Sequence, residues 1–170
     1  MRLDQKGREI FNEVMSSREF AKELAAHGDW FIGVPDSVLK LTQANLPKFY
    51  FSPRENHAVA AAFGAQLGGA KPCVLMQNSG LGLATDALLG LSRLYGQGLV
   101  LVISNRGELA WEEDQHLDWG RVTVPMLKSL QIPVLDFQEL GISAVATAFS
   151  RAYVDNEIVT ILVHRGNLDE

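Results

Sequence analysis

The run Leu99-Val100-Leu101-Val102-Ile103 carries no polar residue at either parity. A strand with one solvated face alternates polar and apolar side chains. One that is apolar throughout is buried on both faces, as in the centre of a parallel sheet covered by helices on both sides. Other runs of strand length fit the same plan, at 30–34, 49–52, 74–77, 133–135 and 158–163. Helical periodicity predicts helices between them at 17–27, 37–44, 56–68, 83–95, 123–130 and 137–154. Short strands alternating with helices predict one three-layer α/β domain over 1–170, a parallel six-stranded sheet with helices on both faces. A chain of 170 residues is long enough for one such core.

Charge narrows the partners. A formal net charge of -5 argues against nucleic acid or an anionic membrane surface. No apolar run reaches the roughly 18 residues of a transmembrane helix, and the opening MRLDQKGREIFNEV is too charged for a secretory signal. A cytoplasmic location is expected. Cys73 is the single cysteine, which excludes an internal disulfide; it reads as a small core residue.

In open parallel sheets ligands sit at the carboxyl ends of the strands. The segments there are polar: GVPDS from Gly33 to Ser37, PRENH from Pro53 to His57, QNSGLG from Gln77 to Gly82, and NRGELAWEEDQHLDWGR from Asn105 to Arg121. The last is read as a long loop, a length usually associated with function. Each residue also has a plainer reading. Asp36 or Ser37 suits a helix cap better than chemistry, and an acid such as Glu55 in a first helical turn is favoured by the helix dipole. His116 has the side chain for acid-base work but lies alone in its loop. His57 is open to either reading, whereas His27 and His164 read as structural. Gly80-Leu81-Gly82 is no dinucleotide fingerprint, because Thr85 stands where a third glycine is needed. It reads as a turn whose backbone lies close to something flat or bulky.

Together GVPDSVLK, ENHAVAAAFG, MQNSGLGLAT and NRGE…DQH…GR, in this order, resemble the pyrimidine-binding (PYR) domain of thiamine-diphosphate-dependent 2-oxoacid decarboxylases. The likeness is greatest to phosphonopyruvate decarboxylase, with the sulfopyruvate decarboxylase alpha subunit next. It implies that Glu55 hydrogen-bonds N1′ of the cofactor's aminopyrimidine and drives the proton transfers that activate C2 of its thiazolium. Burial is expected to raise the Glu55 carboxyl pKa for that task. Gly80, Leu81 and Gly82 are expected against the aminopyrimidine. Asn78, Asp36, Ser37 and His116 are implied as catalytic polar groups, with one histidine where pyruvate decarboxylases carry a pair. Gln77 is a supporting or substrate-binding residue, beside Gln115. For an anionic substrate, Arg106 ranks first as the cation, ahead of Arg54 and Arg121.

Family members hold the cofactor's diphosphate through magnesium with a Gly-Asp-Gly segment followed downstream by asparagine, and no Gly-Asp-Gly occurs here. No residue of this chain is therefore assigned to metal. A beta subunit carrying a diphosphate-binding (PP) domain is expected to supply that site in a symmetric hetero-oligomer. The expected reaction is decarboxylation of phosphonopyruvate or sulfopyruvate to the corresponding acetaldehyde. GVPDS and DQHLDWGR lean to the phosphonate, the split chain to the sulfonate. The alternatives are the same cofactor chemistry on another 2-oxoacid, with carboligation or transfer, and a non-catalytic PYR-like interaction module.

Overall fold

The strand Leu99–Asn105, here β4, is buried at all seven positions. Its odd and even residues face different cores. Val100 and Val102 join Phe20, Leu24, Val145 and Phe149, while Leu99, Leu101 and Ile103 join Val59, Leu81, Leu88 and Leu127. The computed structural model describes residues 14–169, with the backbone alone at 2–3 and 9–10, where a short antiparallel ladder forms. Most of the N-terminal stretch read for targeting lies outside the described residues.

Five further strands complete the main sheet: β1 (Trp30–Gly33), β2 (Phe49–Phe51), β3 (Pro72–Gln77), β5 (Val134–Asp136) and β6 (Ile158–His164). The order is β2-β1-β3-β4-β6-β5, and every pair is parallel. Burial falls towards the edges, where β2 is half-buried to exposed. One face is covered by α1 (Ser17–His27) and α7 (Ser143–Tyr153), with α2 (Lys40–Asn45) and α6 (Phe137–Leu140) contributing neighbours. The other is covered by α3 (Glu55–Leu67), α4 (Leu81–Ala87) and α5 (Asp114–Ser129). Strand order reverses between β1 and β3, so the loops after them diverge and leave a crevice at their carboxyl ends.

Two predicted elements differ. The long loop is shorter than expected, because α5 already starts at Asp114. Its inward positions, His116, Thr123 and Leu127, keep helical spacing, but a histidine and a threonine stand where aliphatic residues would have signalled a helix. The helix tolerates Pro125, which leaves the Arg121 carbonyl without its usual donor. The helix predicted over 137–154 is split by Gly141, which ends α6 at φ +56. After β3 the chain makes one 3-10 turn, Asn78–Gly80, enters α4 directly, and continues as a π-helical stretch over Leu88–Arg93. Cys73 is fully buried, and burial pushes its thiol pKa up. Among the described residues no helix is long and apolar enough to cross a membrane.

Candidate active site

At the crevice lies a polar cleft of about 610 Å³. Ser37, Gln77, Ser79 and Arg106 enter it from the ends of β1, β3 and β4; Glu113, Gln115, His116 and Trp119 enter from the start of α5. The loop bearing Arg106 is pressed onto that helix by two glycines. Gly107 has φ +89, and a Cβ there would lie 1.8 Å from the His116 carbonyl oxygen; a Cβ on Gly120 would lie 2.2 Å from the Gly107 carbonyl oxygen. Close backbone contact therefore explains the spacing of NRGE, DQH and GR.

Arg106 is the cation of the cleft, and each nitrogen of its guanidinium has a partner. Nε donates to Glu112 Oε1 at 2.6 Å, Nη1 to Ser37 Oγ at 2.9 Å, and Nη2 to Glu113 Oε2 at 3.2 Å. Glu112 is the fixed partner. Its side chain is wholly buried, and Oε2 accepts from the backbone N–H groups of Gly107, Glu108 and Leu109. Burial alone would raise its pKa, but the Arg106 hydrogen bond, the backbone donors and the guanidinium charge hold it below the usual carboxylate range.

The two residues at the β3 end take different places. Gln77 faces the cleft, its Nε2 donating to Ser79 Oγ at 2.8 Å and lying 3.3 Å from His116 Nδ1. With Gln77 donating, Nδ1 accepts and Nε2 of a neutral His116 carries the proton. Asn78 is wholly buried instead, its Nδ2 lying 2.9–3.1 Å from Arg106 O, Asn105 Oδ1 and Thr123 Oγ1. It ties the turn to β4 and α5, while its Oδ1 is buried without a hydrogen-bond partner among the described residues. Asp36 is likewise buried: Oδ1 accepts from Leu39 N–H at 2.7 Å and Oδ2 from Ser104 Oγ at 2.9 Å. It closes the loop after β1 onto β4, while Ser37 stays exposed at the cleft.

Glu55 is the first residue of α3 and half-buried. Its carboxyl has no hydrogen-bond or ion-pair partner among the described residues, and it lies directly over Gly80, where a Cβ would come within 2.4 Å of Glu55 Cγ and 2.5 Å of Oε1. Glu55 is not among the cleft walls; the turn separates it from them. The room at Gly80 thus accommodates the chain's own carboxyl, and that at Gly82 accommodates Trp119, 2.9 Å from a Cβ there. Leu81 is fully buried in the core beside Val59 and Leu88, so its side chain meets no cofactor.

His164, read as structural, is a clamp whose partners the sequence does not reveal. Its Nδ1 lies 2.6 Å from Glu108 Oε2 and its Nε2 3.1 Å from Asp136 Oδ1. Burial alone would lower its pKa, but hydrogen bonds to Asp136 and Glu108 and their charges push it up to about 10. The imidazolium therefore fastens the Arg106 loop to the ends of β5 and β6. Only a carboxylate in sequence register with a strand-terminal histidine could have hinted at it, and those partners are remote in the chain. His27 pairs with Glu23 at 3.1 Å on the surface of α1, and His57 is exposed. Arg54 is exposed, and Arg121 forms a surface pair with Asp118 at 3.4 Å. Among the described residues no group of three or more His, Cys, Asp or Glu could hold a metal ion.

Fold and site together define a doubly wound α/β domain with its ligand crevice at the β1/β3 switch point. The 2-oxoglutarate:ferredoxin oxidoreductase of Magnetococcus marinus, solved with 2-oxoglutarate, coenzyme A and succinyl-CoA bound, superposes with a TM-score of 0.66 over 91% of this chain and 30% of that one. At 15% identity the likeness is one of fold. No family model matches. The sulfopyruvate decarboxylase subunit alpha of Methanothermobacter thermautotrophicus is 32% identical over 111 residues, covering 62% of this chain and 67% of the relative. That of Methanococcus maripaludis is 36% identical over 80 residues, so the match spans about half of each protein, 47% of this chain and 48% of the relative. The phosphonopyruvate decarboxylase of Streptomyces viridochromogenes is 39% identical over 101 residues, 56% of this chain and 25% of that protein. The chain belongs to the sulfopyruvate decarboxylase alpha-subunit family.

Proposed function

We propose that this chain is the alpha subunit of a split thiamine-diphosphate-dependent decarboxylase whose substrate is a 2-oxoacid with an anionic group at C3. Sulfopyruvate is placed before phosphonopyruvate, because the alpha-subunit relatives are matched over up to 67% of their length and the phosphonopyruvate enzyme over 25%. A beta subunit with a PP domain supplies the diphosphate and magnesium site.

The observation that carries this reading is the unpartnered, half-buried carboxyl of Glu55 at the start of α3, set over a glycine that leaves it room. A carboxyl group that the chain itself leaves without a donor is open to a partner from outside, and a ring nitrogen is one that can share its proton. Thiamine diphosphate, when bound, supplies the electron sink that takes up the charge left as carbon dioxide departs. Glu55 holds and shares the proton at N1′ of the aminopyrimidine. The backbone of the 78–80 turn gives that ring a floor. Arg106, backed by Glu112, binds the C3 anion, and Ser37 and Gln115 border the same space. Gln77 holds the His116 ring in the cleft, and from there the ring, once it has taken a proton from solvent, can deliver that proton to complete the aldehyde and return to neutral imidazole.

Glu55→Gln tests the reading. The amide keeps the size but cannot supply a carboxylic proton. In the assembled enzyme, exchange of the C2 proton of bound cofactor should fall by at least two orders of magnitude, the scale of acid-base catalysis, with assembly intact. Near-wild-type exchange would make Glu55 a helix-terminal acid and nothing more.

A further inference from the structure

Two neighbouring glutamates meet Arg106, and they are held very differently. The Glu112 side chain is 0% exposed and fixed by three backbone donors. The Glu113 side chain is 67% exposed and lies in the cleft. A single oxygen of it, Oε2, is 3.2 Å from Arg106 Nη2 and 3.6 Å from His116 Nε2. Glu113 stands at the N-terminal boundary of α5, yet its side chain makes no capping hydrogen bond. It is thus free to leave without cost to the helix.

We propose that Glu113 is a specificity-determining residue: its carboxylate fills the anion subsite of the cleft, and the acidic group of the substrate must displace it to reach Arg106 and His116. The inference rests on the reading of Arg106 as the anion site given above. Nε is held by the buried Glu112 and Nη1 by Ser37, so Nη2, whose partner is the exposed Glu113, is the nitrogen most open to exchange with an incoming oxyanion. A half-exposed ion pair of this kind is weak enough for a ligand to exchange. It is strong enough to discriminate. A sulfonate or phosphonate replaces the carboxylate charge for charge, whereas a 2-oxoacid with an uncharged C3 offers nothing in return and leaves the subsite closed. Glu113 therefore lowers affinity for every anion but rejects uncharged analogues more.

The probe is sulfoacetate, titrated into the full chain and followed by the NMR signals of Arg106 Nε–H and the His116 ring. Glu113→Gln should bind roughly three- to tenfold more tightly than wild type, the span of an exposed ion pair and its charge, and Glu113→Ala should move the same way. Asp114→Asn removes an equal charge from the next residue, which is exposed and outside the cleft; it should stay within about twofold of wild type. Binding that shifts Arg106 but is equal in wild type and Glu113→Gln overturns the role of Glu113 and leaves the anion site standing. An equal gain in Asp114→Asn overturns it as well, since general charge would then suffice. If sulfoacetate fails to shift Arg106 even in Glu113→Gln, the anion-site reading falls, and this inference with it.

Discussion

Gly80 and Glu55 form a pair in which one residue exists for the other. Gly80 has φ -72 and ψ -18, a conformation open to any residue, so its backbone does not demand glycine. Only the carboxyl group above it does. Gly80→Ala should therefore fold normally, with a thermal midpoint within a few degrees of wild type, while pushing the Glu55 carboxyl aside. The expected result in the assembled enzyme is a tenfold or greater fall in kcat, on the order of what an ångström of misplacement costs. A variant with unchanged kcat would show that the carboxyl tolerates displacement. Asn78 and Gln77 make the complementary point. Both are polar amides at one strand end, and the sequence pattern cannot say which turns inward. The 3-10 turn decides, sending Asn78 under the Arg106 loop and leaving Gln77 in the cleft.

At the scale of elements, the strands were legible because burial on both faces leaves a continuous apolar run. The start of α5 was not, since its inward stripe is written in His116 and Thr123 and its outward face is strongly polar. The His164 clamp was equally hidden, for it joins β6 to Glu108 and Asp136 through contacts remote in sequence. Its stability has a definite pH dependence. The folded pKa of about 10 lies above the ordinary 6.5, so the contribution is fully present below about pH 6.5 and is lost as pH rises through 10. The partners are about a third exposed, at 36% for Glu108 and 31% for Asp136. Solvent therefore screens the clamp, and His164→Asn should cost about 2–3 kcal/mol at neutral pH, less than a fully buried pair. Denaturant unfolding from pH 7 to 10.5 checks this: the wild-type advantage over the variant should shrink along that range. A constant difference would mean that the imidazole serves by packing and not by charge.

For the whole molecule, Glu55 and the cleft around Arg106 lie at the carboxyl ends of one sheet, and no group of the described residues could hold a metal ion. On the proposed reading, catalysis needs a second chain. The purified chain alone should show no decarboxylation of sulfopyruvate or phosphonopyruvate. Addition of a PP-domain subunit should restore turnover that requires both thiamine diphosphate and magnesium. Turnover by the isolated chain would refute the split arrangement.

The 78–80 turn stands between Glu55 and the cleft, so the two halves of the site hang from different parts of the chain. One is carried by α3, the other mostly by Arg106 and the start of α5. On the proposed reading, substrate preference can thus drift, or be engineered, through exchanges within residues 106–115 while Glu55 and His116 are inherited unchanged. A library confined to that segment would sample new acids without spending variants on the chemistry they all share.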